Sequence, residues 1–316
     1  MKQNNKEKLN ILREEMDILT AIEKRISIRS YSKDIVDSTV LERLIDFAKK
    51  TKHLTTVPPR IELVSGVDRT NNVLTSIISS YGLVRNPPHL LIGIIPEESD
   101  IARIDLGYVL EQVILEATKS GLGTCWISGS YDPKIAGDEV KIKSGEVVEA
   151  VCAIGYPAEE IRERLHDRTI RRITGGYHRK QLKEIVFYKS WGKSWSPKEE
   201  DSELLTILEH ARLAPSGANR QPWRFIIRPE NIVLTLVLTK PLETGIANRL
   251  YPIVGIVKKN VFAKAQYIDA GIVMSHFTLV SKTIGLKGQW ELLLGDKTLA
   301  RECQLPKGII PVAIFN

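Results

Sequence analysis

The sequence predicts an α+β fold, an α/β sandwich built from two tandem copies of one unit. The first reason is an internal repeat, because an ordered series of residues recurs at an offset of about 163 positions along the 316-residue chain. The second is that both copies show the same order of predicted elements. The third is a composition of 43% hydrophobic and 26% charged residues, which is typical of a globular protein.

The repeat consists of single residues that keep their order and almost constant spacing. Such a series is hard to obtain by chance, whereas any one match means little. The offset grows by one residue after the third matched pair. The pairs are Ser27 and Ser190, Ala48 and Ala211, Pro59 and Pro222, Pro88 and Pro252, Asp105 and Asp269, Gly107 and Gly271, Gly121 and Gly285, and Trp126 and Trp290.

In the first copy, apolar residues at helical spacing predict an amphipathic helix over residues 40–48. Strands follow at residues 60–64 and 90–95, each entered from a proline. The helix over residues 105–120 is apolar around much of its circumference, so we expect it to be buried on several sides. It ends at a glycine, as many helices do, and residues 147–154 form the last strand.

In the second copy, the corresponding amphipathic helix covers residues 204–211. The matches at the prolines place the strands at residues 223–227 and 253–257. The long apolar helix covers residues 269–283 and the last strand residues 309–315. We therefore expect two repeats, one over residues 1–187 with its N-terminal helix and a basic connecting arm, and a shorter one over residues 188–316.

Several classes of protein are excluded by composition. Three cysteines without a CxxC pair predict neither a disulfide framework nor a zinc site. The longest apolar runs, at residues 90–95 and 232–238, have strand length, whereas a membrane span needs about 20 apolar residues. The histidines lack metal-ligand spacing, and Ser216 does not lie in a GxSxG sequence, which argues against a hydrolase. We expect a soluble, cytoplasmic protein without a bound metal.

The net charge of +7 is unevenly distributed. Residues 161–183 contain eight Lys or Arg against two acids, with Tyr177 as the one aromatic residue. A surface for stacking nucleic-acid bases needs more aromatic residues, so we expect no nucleic-acid partner. The stretch is interpreted as a solvated linker, and an anionic small molecule stays open as the partner of the basic charge.

The segment RISIR places Arg25, Ser27 and Arg29 at alternate positions. In an extended segment alternate residues share one face, so two guanidiniums and a hydroxyl would point the same way. A guanidinium fork fits phosphate and other planar oxygen groups. The segment is therefore a candidate anion clamp, although the pattern alone also fits a basic surface segment.

In the second copy, the loop APSGANRQPW over residues 214–223 joins a helix to a strand. Two prolines stiffen it, and Ser216, Asn219 and Gln221 supply polar groups at close range. Such a loop suits a flat ligand that makes several hydrogen bonds, and a structural turn is the alternative interpretation.

These segments, together with GLGTCWISG at residues 121–129, the DxG…Q pattern of Asp105, Gly107 and Gln112, and GYP at residues 155–157, resemble the nitroreductase-like FMN-dependent oxidoreductases. The resemblance covers about residues 21–316. It implies a nitroreductase-like fold in which one subunit of a dimer supplies the RxSxR segment, the GLGTxW region and a basic arm, while the other supplies the APSxxNxQPW loop.

In this chain the two contributions fall in different repeats. Residues 52–59, at the place of the loop in the first repeat, lack the Asn and Gln, and residues 188–192 lack both arginines of RxSxR. The resemblance therefore implies a pseudodimer within one chain, a monomer with a single FMN site. The implied FMN-binding residues are Arg25, Ser27, Arg29, Ser128, Gly129, Arg179, Lys180, Pro215, Ser216, Gly217, Asn219 and Gln221.

The same resemblance implies an FMN-dependent oxidoreductase that takes electrons from NAD(P)H and reduces a small-molecule acceptor such as a nitroaromatic compound or a quinone. Arg29 is the candidate catalytic residue, because a cation near N1 and O2 of the flavin stabilises its reduced form. Backbone N–H groups of Ser128 and Gly129 would face N5. Two alternatives stay open: a flavin protein with another redox role (a dehydrogenase, a dehalogenase or a flavin carrier), and a basic interaction protein on a decayed enzyme fold.

Overall fold

A computed structural model describes residues 16–74, 84–127, 131–159, 161–173, 176–238 and 261–316. In these residues the chain forms two sheets, and two long helices share one hydrophobic core with both of them. This arrangement is the α/β sandwich of two repeats that the sequence predicts.

The first repeat begins with helices that precede its sheet. Capping by Asp17 and Asp37, whose side chains accept from the N–H groups of Thr20 and Thr39, fixes the starts of its first two helices. Its elements are α1 (Ile18–Lys24), α2 (Ser38–Lys50), β1 (Arg60–Ser65), α3 (Val67–Val73), β2 (His89–Ile95), α4 (Asp100–Lys119), β3 (Gly123–Ile127), α5 (Pro133–Glu139) and β4 (Val147–Gly155).

A connecting segment then leads to the second repeat. Its elements are α6 (Ile161–Ile173), α7 (Leu182–Ile185) and β5 (Val186–Tyr188). The described elements of the second repeat are α8 (Ser202–Ala211), β6 (Trp223–Ile227), β7 (Ile232–Val237), α9 (Val261–Thr283), β8 (Trp290–Leu292), α10 (Lys297–Glu302) and β9 (Ile309–Phe315), with short 3-10 turns at Glu199–Asp201 and Gly217–Asn219.

The two sheets have the same topology. The first has the strand order β1-β2-β4-β3, and the second repeats it as β6-β7-β9-β8, with β5 added at the β6 edge. All pairs are antiparallel except β5 with β6. Both sheets carry an irregularity in the second strand, at Gly93/Ile94 and at Leu234/Thr235. The proposed boundary between residues 187 and 188 lies inside β5, and the division into two domains stays a prediction.

In the second repeat, the position equivalent to β2 is filled by a different segment from the one that the proline match predicts. Residues 253–257 were matched to β2, but they lie outside the described residues, and β7 fills the position of β2 in the second sheet. The physical reason is a tight turn between β6 and β7, closed by a hydrogen bond from the Arg228 N–H to the Asn231 carbonyl. In the first repeat, α3 and a longer connection separate the equivalent strands.

The helices α4 and α9 cross at a distance that only glycine permits. A Cβ atom added at Gly107 would lie 2.2 Å from the Ile268 carbonyl oxygen, and one at Gly271 would lie 1.8 Å from the Ile104 carbonyl oxygen. These glycines are equivalent in the repeat, so the contact is symmetric. Side chains around the whole circumference of α4 are buried, as its apolar sequence predicts. In the described part of the chain, no helix combines the length and apolarity needed to cross a bilayer.

The crossing can be tested by replacing Gly271 with Ala. The new methyl group would overlap the backbone of α4, and we expect the free energy of unfolding to fall by about 2–3 kcal/mol or more, as in other overpacked cores. Urea denaturation followed by circular dichroism measures this change. In the control variant Gly137→Ala, the added methyl group meets only the side chain of Ile142, at 3.1 Å. Equal stability of both variants would contradict the close crossing.

Candidate functional site

A cavity of about 170 Å³ lies between the two repeats. Its walls come from the RxSxR segment, β3, the connecting segment, the loop before β6, and α9. The lining residues are Arg25, Ile26, Ser27, Arg29, Trp126, Arg171, Gly176, Arg179, Pro215, Ser216, Gly217, Ala218, Asn219, Ala265, Ile268, Asp269 and Ile272. The structure thus brings together two segments that lie far apart in the sequence, as a shared site requires.

The RxSxR segment runs beside β3. Ser27 bridges to Thr124 in parallel, and the Ile28 N–H donates to the Thr124 carbonyl at 2.9 Å. Arg25, Ser27 and Arg29 all line the cavity, as does Ile26 between the first two, so the segment brings its three polar side chains to one site without the strict alternation that the sequence predicts. The N–H of Arg29 donates to Asp167 of α6 at 3.2 Å, which fastens the connecting helix to the segment.

Arg25 is buried beside an acid that sequence reasoning missed. Its Nε atom lies 3.7 Å from Oε1 of Glu111, too far for a hydrogen bond, and this nitrogen has no hydrogen-bond partner. Glu111 is itself fully buried and accepts from Trp126 Nε1 at 2.8 Å, while His276 Nε2 lies 2.9 Å from it. An acid inside the otherwise apolar stretch of α4 was the available signal.

The loop before β6 is held in an unusual backbone conformation. Ala218, Asn219 and Gln221 all have φ near +50°, a region that non-glycine residues adopt only when neighbouring contacts impose it. Two hydrogen bonds impose it here: the Gln221 N–H donates to Ser216 Oγ at 2.9 Å, and the Gly217 N–H donates to Asp269 Oδ1 at 3.0 Å. The loop is therefore stiff, as its two prolines indicate.

The basic arm of the first repeat is bonded to this loop of the second. Arg179 Nη1 donates to Asn219 Oδ1 at 2.6 Å, and the Lys180 N–H donates to Gln221 Oε1 at 2.8 Å. Asn219 Nδ2 donates in turn to the His178 carbonyl at 2.7 Å. Arg179 lines the cavity, whereas Lys180 and Gln221 lie behind the lining residues and bind each other.

Burial changes the acidity of both cations of the arm. Loss of hydration, assisted by the nearby Arg25, lowers the pKa of Arg179 to about 10. Loss of hydration, assisted by Arg224, lowers the pKa of Lys180 to about 8. Desolvated cations bind anions more strongly than hydrated ones, so the arm favours an anionic ligand. Ser128 and Gly129, the other predicted binding residues, lie outside the described residues.

Asp269 of α9 lines the same cavity with 3% of its surface exposed. Its Oδ1 atom holds the loop through Gly217, while its Oδ2 atom has no hydrogen-bond partner in the described part of the chain. Burial raises the pKa of this carboxyl group to about 7, against the weaker opposing effects of the Gly217 N–H and the Arg220 charge.

Comparison with known proteins identifies the family. Residues 17–281 match the sequence profile of the family described as "Putative TM nitroreductase". The chain belongs to this nitroreductase family. Its predicted fold, two tandem nitroreductase-like repeats that form an internal pseudodimer, is thereby confirmed together with the resemblance noted in the sequence. No curated protein shows significant similarity to the sequence.

Solved structures are also similar to this chain. A structure from Thermotoga maritima, described as a putative nitroreductase, is 17% identical with a TM-score of 0.52, and the match covers 94% of each chain. A nitroreductase family protein from Clostridium novyi NT is 23% identical, with a TM-score of 0.40, and the match covers 57% of this chain and 97% of that one. The first similarity supports the fold over nearly the whole chain.

The buried acid of this nitroreductase family member predicts a pH-dependent stability. Because folding raises the pKa of Asp269 from 3.8 to about 7, the folded protein binds a proton that the unfolded chain releases in this interval. Stability from this group is therefore complete below pH 4 and is lost as pH rises to 7, by up to about 4 kcal/mol. Urea denaturation at pH 5 and pH 8 of the wild type and Asp269→Asn measures it. The same pH dependence in both proteins would contradict the prediction.

Proposed function

We propose that the protein is an FMN-dependent NAD(P)H oxidoreductase of the nitroreductase or quinone-reductase type, with one flavin bound between its repeats. The observation that carries the proposal is the shared cavity, in which Arg25 and Arg29 of the first repeat face the Ser216–Asn219 loop of the second. Family membership supports oxidoreductase chemistry. The cavity supports the further step to one shared site.

The residues of the cavity fit the chemistry of FMN. Two buried polar atoms at its wall, Arg25 Nε and Asp269 Oδ2, lack hydrogen-bond partners in the described structure. A bound ligand with oxygen and nitrogen atoms would supply these partners, since buried polar groups are ordinarily satisfied. Arg25, Arg29 and Arg179 also concentrate positive charge at one place, which suits a phosphate ester.

Each residue then has a specific task. Arg25 and Arg179 would hold the phosphate, and Ser27, Pro215, Ser216, Gly217 and Asn219 would bind and orient the rest of the molecule. Lys180 and Gln221 keep the arm against the loop, and the backbone of Ser128 and Gly129 is proposed to complete the site. FMN supplies the hydride-transfer chemistry when bound. Arg29 is proposed as the catalytic residue, because its guanidinium would stabilise negative charge that develops during reduction.

The symmetry-related position lacks the corresponding groups. Tyr188 and Gly192 stand where Arg25 and Arg29 stand in the first repeat. Asp105, the counterpart of Asp269, has both carboxylate oxygens bonded by Leu54 and Thr55. These differences support a single flavin per chain, with a small molecule as the electron acceptor. Because both repeats of the site lie in one chain, we propose that the protein is a monomer. Its buried free cysteines are compatible with a cytoplasmic location, which we also propose.

FMN content and turnover test this function directly. Protein purified with excess FMN is expected to be yellow and to retain one flavin per chain, measured by absorbance after denaturation. It should then oxidise NADH or NADPH steadily with menadione or nitrofurazone. Two flavins per chain would refute the single-site proposal. Bound flavin without turnover would favour a flavin carrier, and colourless protein that binds DNA in a salt-sensitive way would favour the basic interaction protein.

A second prediction concerns the contribution of the distant loop. Asn219→Ala removes the hydrogen bonds to Arg179 and to the His178 carbonyl. Bonds to a charged group are worth about 1.5–3 kcal/mol, so we expect FMN affinity to fall about ten- to a hundredfold in fluorescence titrations. Thr56→Ala, at the equivalent position of the first repeat, is the matched control and should bind FMN as the wild type does. Unchanged affinity of Asn219→Ala would argue against a shared site.

A further inference from the structure

The unpaired Oδ2 atom of Asp269 distinguishes this acid from its counterpart in the other repeat. Asp269 and Asp105 occupy equivalent positions on α9 and α4, two residues before the glycines of the helix crossing. Both hold the loop of their own repeat by accepting backbone N–H groups. A structural anchor therefore accounts for one oxygen of each carboxyl group.

The second carboxylate oxygen differs between the two repeats in its hydrogen-bond partners. At Asp105 it accepts from the N–H and the hydroxyl group of Thr55, so both oxygens of that acid are bonded within the first repeat. Asp269 lines the cavity, and its second oxygen is buried without a hydrogen-bond partner among the residues that the structure describes. Because the loop anchor is the same in both repeats, it cannot explain why only the acid on the cavity side keeps an unpaired oxygen.

The surroundings of Asp269 set its charge. From the loop side the Gly217 N–H and the Arg220 charge favour the carboxylate, but loss of hydration outweighs them and raises the pKa to about 7. Arg25, Arg29 and Arg179 line the same cavity. An anionic ligand in the cavity would displace water and bring negative charge near the carboxyl group, and both effects favour the neutral form of Asp269. The bound state therefore favours the carboxylic acid more strongly than the ligand-free state.

We propose that Asp269 is a ligand-binding residue that acts as a carboxylic acid, whose Oδ2–H donates a hydrogen bond to an oxygen or ring nitrogen of an anionic ligand. The proton comes from solvent, so ligand binding takes up a proton in every molecule whose Asp269 is ionised before binding, which is about half of the molecules at pH 7. With FMN as the ligand, the inference rests on the proposed function. The site is thus selective for ligands that combine an anionic group with an acceptor atom near α9.

The test compares FMN affinity between pH 7 and pH 9, where the phosphate group is already a dianion because its second pKa is about 6. In Asp269→Asn, the amide keeps an acceptor for Gly217 and a permanent N–H donor, but it cannot titrate. Wild-type affinity should fall by up to about tenfold per pH unit from this group. The FMN affinity of Asp269→Asn should lack this contribution to the pH dependence. At pH 7 it should equal the affinity of the wild type. Asp105→Asn is the matched control with wild-type pH dependence.

Lys180 also titrates in this interval, with a pKa lowered to about 8 by burial, but it is present in all three proteins. The inference therefore depends on the difference between the variants. An equal pH dependence in the wild type and Asp269→Asn would overturn it, as would affinity that falls equally at every pH. In both cases FMN still binds the wild type, so the proposed function would stand.

Calorimetry of the wild type gives an independent measurement that does not depend on the folding of a variant. Binding measured at pH 7 in two buffers with different ionisation enthalpies reports the number of protons taken up, at a pH where Lys180 is mostly protonated already. FMN and sulfate, an anion that does not titrate here, serve as separate probes. Proton uptake with sulfate but no FMN binding would reject the flavin and retain the acid. Binding of FMN without proton uptake would overturn the role of Asp269.

Discussion

The close crossing of α4 and α9 is the contact on which the rest of the molecule depends. Gly107 and Gly271 let the two backbones meet where any Cβ atom would collide with a carbonyl oxygen. Two residues before each glycine, Asp105 and Asp269 bind the loop of their own repeat. The DxG pattern therefore has two roles on each helix. The glycine sets the distance between the repeats, and the aspartate fixes the position of the loop of its own repeat.

The same scaffold supports two unequal sites, since the polar groups differ while the framework is preserved. Strand order and the irregularity in the second strand recur in both sheets. On one side Arg25 and the loop with Asn219 meet, whereas on the other Thr55 caps Asp105. A symmetric dimer must keep every binding residue in each subunit, but a fused pair needs each residue only once. The asymmetry is thus compatible with a working site and needs no compensating change in the fold.

The sequence predicts those elements that have a local apolar pattern. It does not predict features that depend on which distant segments contact each other in the fold. Apolar patterns in the sequence predict the helices α2, α4, α8 and α9 and the strands β1, β2, β4, β6 and β9, whereas the edge strands β3 and β8 were not predicted. The offset places the residues of the cavity in two repeats. The proline match assigned the position of β2 to residues 253–257, which lie outside the described residues, because it passed over the apolar run at 232–238 that a tight turn pairs with β6. The sequence interprets residues 161–183 as a solvated linker, yet Asp167 within them accepts a hydrogen bond from the Arg29 N–H. Glu111 was missed because no local pattern shows which partners a buried acid will meet.

Charge explains why these missed residues matter to the cavity. Arg25, Arg29, Arg171 and Arg179 all line it, and repulsion among them is part of what lowers the pKa of Arg179. Glu111 lies behind Arg25 and offsets part of this charge, and Asp269 offsets little below pH 7 because burial favours its neutral form. An excess of positive charge therefore remains at the wall. Such a cavity gains most from a ligand with more than one negative charge, which a phosphate monoester carries and a neutral aromatic acceptor alone does not.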